Sequence, residues 1–123
     1  MKRIILEMGS GNDLYGEDYT KAACRAVQDA LHHSSLVLFR SLALDQSEME
    51  VNVTIAAMCP ERVDAQVVAA SLPRGRANVT VVKGGMNVTD PESGTVSVIA
   101  NAAVEACLAI DADTWRLSKK AQN

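Results

Sequence analysis

The side chains whose types and spacing can do chemistry gather in one stretch of the 123-residue chain, residues 7–33, EMGSGNDLYGEDYTKAACRAVQDALHH. Glu7, Asp13, Glu17 and Asp18 bring carboxylates, and Lys21 and Arg25 bring cations. Lys21 and Arg25 stand one helical turn apart and share a face, so they can hold a substrate carboxylate or an imide oxygen. The bland alternative is a solvated helix face on which they pair with Asp18 or Asp29. Gly9, Gly11 and Gly16 lie between an apolar run and the helix, where the backbone either turns sharply or approaches something closely. Glycines at that place leave N–H groups pointing out at a helix start, as in phosphate-cradling loops. The chain has no GxGxxG or GK[S/T] pattern there, and the field of the surrounding carboxylates repels an anion. Two readings stay open, a turn that carries a functional polar cluster and a purely structural turn.

Other candidates are weaker. Asp13, Glu17 and Asp18 lack the regular ligand alternation of a calcium loop, and no metal is expected. His32 and His33 are sequence neighbours at a helix end and point in different directions, which suits solvated or C-terminal dipole positions. Lys83, just before Gly84 and Gly85, is a nucleophile or base if it is buried. Asn101 and Glu105 fall on the polar side of a late strand and line either a pocket or an interface.

These residues need elements to position them. Residues 2–8 read as a first strand, with Ile4 and Ile5 β-branched. Residues 18–33 read as a helix capped by Asp18. Ala23, Ala26, Val27, Ala30 and Leu31 share its buried face, so it can lie very close to a sheet. Residues 34–45 fit a short helix or an irregular extended stretch equally well, and 46–48 read as a turn. Residues 48–58 alternate Met49, Val51, Val53, Ile55 and Ala57 with polar neighbours, which predicts a strand in a sheet open on one side. Residues 60–72 predict a second helix, ended by Pro73, Arg74 and Gly75. Residues 77–82 predict a third strand that Gly84 and Gly85 break or bulge. DPESG at 90–94 predicts a turn. Residues 96–109 predict a bent fourth strand, because Val96, Val98, Ala100, Ala102, Val104, Ala106 and Leu108 keep a period of two. Residues 111–123 form a tail in which Trp115 packs back or anchors a subunit contact.

Composition narrows the function classes. The length suits one domain, 1–123. Apolar residues make up 48% of the chain but aromatics only 3%. Such small side chains build a thin core that gains from oligomerisation. The net charge of −3 argues against a nucleic-acid partner. No apolar run is long enough for a signal core or a membrane span, which points to the cytoplasm. Cys24, Cys59 and Cys107 then read as free thiols. The Asn-x-Thr triplets at Asn52, Asn78 and Asn87 read as strand alternation with their polar side outward.

The stretches GSGNDLYGEDYTKAACRAVQDAL, CPERVDAQ, LPRG, VVKGGMNV and ANAAVEACL resemble a family of small uncharacterised bacterial and plant proteins with the hallmark G-x-G-x-D-x-H-G. Gly9, Gly11, Asp13 and Gly16 fill that motif, while Tyr15 stands where the family has histidine. A base or ligand role carried by that histidine is absent here. More distantly, Asp18, Tyr19, Thr20 and Lys21, with Gly84 and Gly85 downstream, are similar to the first domain of the ring-opening amidohydrolases, the cyanuric acid hydrolases and barbiturases. Those enzymes set three such domains around a pseudo-threefold axis, which implies a homotrimer for a single-domain relative. Lys83 stands where they carry the serine before Gly-Gly, so their nucleophile is not matched.

The expectation is an α+β domain with a four-stranded mixed or antiparallel sheet and helices on one face, in the order β-α-β-α-β-β. It is expected to form a homotrimer that binds a small molecule at the glycine-rich loop near a subunit interface. Gly9, Gly11, Asp13, Tyr15, Gly16, Asp18, Arg25, Asn101 and Glu105 are the expected ligand contacts. The alternatives are a cyclic-imide or amide hydrolase in which Lys21 or Lys83 activates a nucleophile, and a structural or interaction protein without catalysis. No cofactor, nucleic-acid or membrane partner is expected.

Overall fold

The computed structural model describes residues 2–32, 49–72 and 76–108. The expectations for His33, for 34–48, for the Pro73, Arg74 and Gly75 stop and for the tail with Trp115 lie outside those residues. In chain order the elements are β1 (Lys2–Asp13), α1 (Tyr19–His32), β2 (Glu50–Ala57), a 3-10 turn (Pro60–Arg62), α2 (Ala65–Ala70), β3 (Arg76–Lys83), β4 (Met86–Thr89) and β5 (Val96–Leu108). The sheet runs β1-β5-β2-β3, and β4 also pairs with β5. β2 and β3 are parallel, and β5 is antiparallel to β1, β2 and β4. This is the α+β class with a mixed sheet that the alternation implied.

The sheet has five strands rather than four, and the order is β-α-β-α-β-β-β. The extra strand arises at Gly84 and Gly85. Gly85 has φ +68°, and a Cβ there would stand 2.2 Å from the Ile99 carbonyl oxygen. The chain therefore leaves its ladder with β2 and restarts as β4 against β5. Residues 60–72 also do not form one helix. Pro60 starts only the 3-10 turn, and α2 begins afresh where the Asp64 carboxylate accepts from the Gln66 and Val67 amides.

The third difference concerns the glycines. β1 does not end at Met8 but runs through Gly9 and Gly11 to Asp13. Both glycines face α1, whose inner face is Tyr19, Ala22, Ala23, Ala26, Val27 and Ala30. A Cβ on Gly9 would lie 2.4 Å from the Ala30 backbone nitrogen, and one on Gly11 would lie 2.3 Å from that of Ala26. The glycines thus let the helix backbone rest directly on the strand backbone. The alanine face predicted from the sequence is the other half of the same contact, and Ala22, Ala23, Ala26 and Ala30 have no exposed surface.

The core lies between this face of the sheet and the helices. Val51, Val53, Ile55 and Ala57 of β2 meet Val98, Ala100, Ala102 and Val104 of β5, with Val68 of α2 closing the far side. The opposite face is open. Asn52, Thr54, Asn78 and Thr80 point there as the alternation predicted, among exposed Leu6, Met8, Val82, Met86 and Val88. Asn87 departs from that pattern. It pairs with buried Val98 and turns inward, because the period of two that puts Asn78, Thr80 and Val82 on the open face carries on to Met86 and Val88 and leaves residue 87 on the other side.

Gly11→Ala is expected to cost about 3 kcal/mol or more in urea denaturation, because the methyl group overpacks backbone that has no rotamer to move. Gly94→Ala, at φ +75° with nothing within 4 Å, should cost only about 1 kcal/mol. Equal costs would show that α1 does not depend on the close approach.

Candidate functional site

The site grows from the turn that joins β1 to α1. Asp13, the last residue of β1, is only 6% exposed. Its Oδ2 accepts from the Asp18 amide at 3.0 Å, and its Oδ1 lies 3.7 Å from Arg25 Nη1. A Cβ on Gly16 would come within 2.9 Å of Asp13 Oδ2, so a glycine lets the turn fold over the carboxylate. Asp18 caps α1 as the sequence predicts, its Oδ1 accepting from the Lys21 amide at 3.0 Å. Such a cap contributes about 1 kcal/mol. The turn is pinned at two further points. Ser97 Oγ donates to the Leu14 carbonyl at 2.9 Å, and Arg62 Nη2 donates to the Glu17 carbonyl at 3.2 Å. Glu17 is at φ 47°, and the side chain of Arg62 also lies 3.6 Å from its carboxylate. The guanidinium therefore holds a residue in the left-handed region, which a non-glycine residue enters at a cost.

Beside this turn is an open cleft of about 500 Å³ lined by Asn12, Asp13, Leu14, Tyr15, Gly16, Asp18, Lys21 and Arg25. Six of the sequence candidates meet there, namely Asp13, Tyr15, Gly16, Asp18, Lys21 and Arg25. Tyr15 stands 85% exposed at the lip. Arg25 is only partly available, because its Nη1 donates to the Asn12 carbonyl at 2.7 Å. Asp29 of the same helix accepts from the Ser10 amide at 3.0 Å. Arg25 and Asp29 so occupy backbone groups on the edge of β1 away from β5, which pairs with no strand among the described residues.

The remaining candidates lie elsewhere. Gly9 and Gly11 are under α1 and do not line the cleft. Lys83 is exposed at the end of β3. Asn101 is exposed, and Glu105 is half-buried and lies 3.5 Å from Arg3. Both follow the open-face alternation of β5, in register with Ser10 and Leu6 of β1. His32 is exposed in the last turn of α1.

A second cluster was not legible in the sequence. Tyr19, at the start of α1, is 3% exposed and its Oη accepts from Asn87 Nδ2 at 2.6 Å. The Cys59 thiol is hydrogen-bonded to the same phenol, and Arg62 stacks 4.8 Å from the ring centroid. The Cys59 hydrogen bond and burial push the Tyr19 hydroxyl above the usual phenol range, against weaker pulls from Asn87 and Arg62. Thr20 ties the same corner together, donating to the Arg62 carbonyl and accepting from the Asp64 amide. Asn87 resembled an outward strand residue by its triplet, and its pairing with buried Val98 of β5 shows its role. Burial also pushes the Cys24 thiol up, which keeps it protonated and poorly nucleophilic at neutral pH. Among the described residues no three His, Cys, Asp or Glu side chains are grouped to hold a metal ion. No helix among them is long and apolar enough to cross a membrane.

The fold and cleft define a class, a mixed-sheet α+β domain with two helices on one face and a charged cleft at the strand-to-helix turn. The model of the conserved hypothetical protein family Lin0512_fam matches residues 3–106, and the chain belongs to that family. It is similar to a crystal structure of an FtsZ-like protein of unknown function from Nostoc punctiforme, at 38% identity and a TM-score of 0.78. The match covers 89% of this chain and 97% of that one. A search of curated proteins found no match.

Two outcomes follow from these contacts. Asp13→Ala removes an acceptor whose loss leaves the part-buried Asp18 amide and the Arg25 guanidinium without it, and is expected to lower stability by about 1–3 kcal/mol in chemical denaturation. Tyr19 is protonated more readily folded than unfolded. Its contribution to stability is therefore constant below about pH 10 and falls above it, where the unfolded chain ionises first. Tyr19→Phe should reduce the alkaline slope in a pH series of urea midpoints and leave the part due to the Cys24 thiol.

Proposed function

We propose that this chain is a homotrimeric small-molecule-binding protein whose ligand sits in the cleft beside the turn at 13–18, near a boundary between subunits. The observation that carries the reading is the convergence of Tyr15, Gly16, Lys21 and Arg25 on one cleft, about an Asp13 and Asp18 framework that is already hydrogen-bonded. A cleft of about 500 Å³ is in the range of small-ligand sites. In this reading Gly9 and Gly11 act by setting the position of α1. Asp13 and Asp18 shape the turn, and Tyr15, Lys21 and Arg25 contact the ligand. Binding is preferred to hydrolysis because Lys83, the second lysine a hydrolase would use, is exposed at the end of β3 and does not line the cleft.

Association is supported by the open face of the sheet. Asn78 Nδ2 donates to Glu50 Oε1 at 2.8 Å and to Asn52 Oδ1 at 3.1 Å, and Asn52 Nδ2 donates to Cys107 Sγ at 3.8 Å. These amide donors have partners within the face, which lowers the cost of covering them. Arg3 and Glu105 balance each other, and Leu6, Met8, Val82, Met86 and Val88 leave apolar surface exposed. A face with balanced charge suits a second copy of itself better than a strongly charged partner. The likeness to three-domain amidohydrolases favours threefold closure, with Asn101 and Glu105 in the contact. Free Cys24, Cys59 and Cys107 fit a reducing cytoplasm.

Light scattering on a sizing column should give the mass of three chains, and Met8→Lys should lower it to that of one. A single-chain mass for the unmodified protein would remove the shared site.

A further inference from the structure

We infer that the cleft takes a planar ring bearing one negative charge, of the aromatic monocarboxylate class. The inference rests on the binding reading above and concerns which chemistry the cleft selects.

The charges lining the cleft are unequally compensated. Asp13 is neutralised by Arg25 and by the Asp18 amide. Asp18 accepts from the Lys21 amide at the N-terminus of a 14-residue helix, where the helix dipole favours a carboxylate. Arg25 spends Nη1 on Asn12 and Asp13 and keeps the rest of its donors. Lys21 is exposed, and its ammonium has no hydrogen bond or ion pair among the described residues. It is the one lining charge, among those residues, without a compensating group. One uncompensated cation beside spare guanidinium N–H groups suits a carboxylate. A dianion would leave its second charge facing Asp13 and Asp18, and a cation would face Lys21.

The other half of the argument is apolar. Tyr15 is 85% exposed with Leu14 beside it at 47%, both on the lip of the cleft. The Tyr15 ring offers a free π face, and aromatic rings pair with other rings by offset or edge contacts. The turn carrying it is held at Leu14 by Ser97 and at Glu17 by Arg62. Little conformational entropy is then lost when a ring settles against it. A single ring with its carboxylate fits a cleft of about 500 Å³.

The test titrates the full-length protein, as purified, with benzoate, acetate, benzamide and anilinium while following backbone amide signals by NMR. Benzoate should move the signals of residues 13–25 and bind about tenfold or more tightly than the other three, the step one charge or one ring contact supplies. Lys21→Met should weaken benzoate by about tenfold and leave benzamide unchanged, whereas Tyr15→Leu should weaken benzoate and leave acetate unchanged. Unaltered far-UV circular dichroism checks that both variants fold. Benzamide or anilinium binding as tightly as benzoate would overturn the charge assignment, and acetate binding as tightly would overturn the ring. In either case the cleft would remain a binding site. If no probe moved residues 13–25, the binding reading would fall together with this one.

Discussion

The rest of the structure depends on how closely α1 lies on β1. Gly9 and Gly11 leave no room for a side chain, since a Cβ on either would stand within 2.4 Å of a helix backbone nitrogen. Four alanines on the helix answer them with no exposed surface. This contact fixes both the height and the rotation of α1. Its charged face then reaches around the edge of the sheet, where Arg25 meets Asn12 and Asp29 meets Ser10. A bulkier strand would lift the helix and break both contacts. The small side chains that make the core thin are therefore also what bring the polar groups of strand and helix together.

The turn at 13–18 is a consequence of that placement. With the two backbones in contact, the chain has only five residues after Asp13 to reach the first hydrogen-bonded turn of α1, and the Asp13 carboxylate fills the gap by accepting the Asp18 amide. Asp13 is thus a structural centre from which the cleft opens, and the groups turned outward from it are Tyr15 and Lys21. Arg62 extends the same framework across the helix. It holds the strained Glu17 with its guanidinium and stacks on Tyr19, which reaches Cys59 and Asn87. The cleft and the buried phenol cluster lie on opposite sides of one helix start and share that support.

Two faces of the sheet show two ways of managing polarity. The inner face is almost wholly aliphatic, and its inward-turned amide, Asn87, is bound to the Tyr19 hydroxyl. The outer face carries a ladder of Glu50, Asn78 and Asn52 linked by side-chain hydrogen bonds, beside exposed methionine and valine.

The sequence by itself determined a good deal. Alternation in 48–58 and 96–109 identified β2 and β5 and their buried sides, because a half-buried strand must repeat every second residue. The alanine stripe and Asp18 identified α1, its close packing and its cap. The charges of residues 13–25 identified most of the cleft, since they are local to one turn and one helix face. What only the tertiary structure decided are the features set by register and distance between elements. The strand β1 passes through its glycines because α1 lies on them. The break expected at Gly84 and Gly85 opens a new strand, β4, because the chain restarts there against β5. Asn87 turns inward because β4 sets it against buried Val98 of β5, and Asp13 is drawn into the framework because Arg25 and Asp18 converge on it. Each depends on a partner far along the chain or across the turn, and a local period carries no information about that partner.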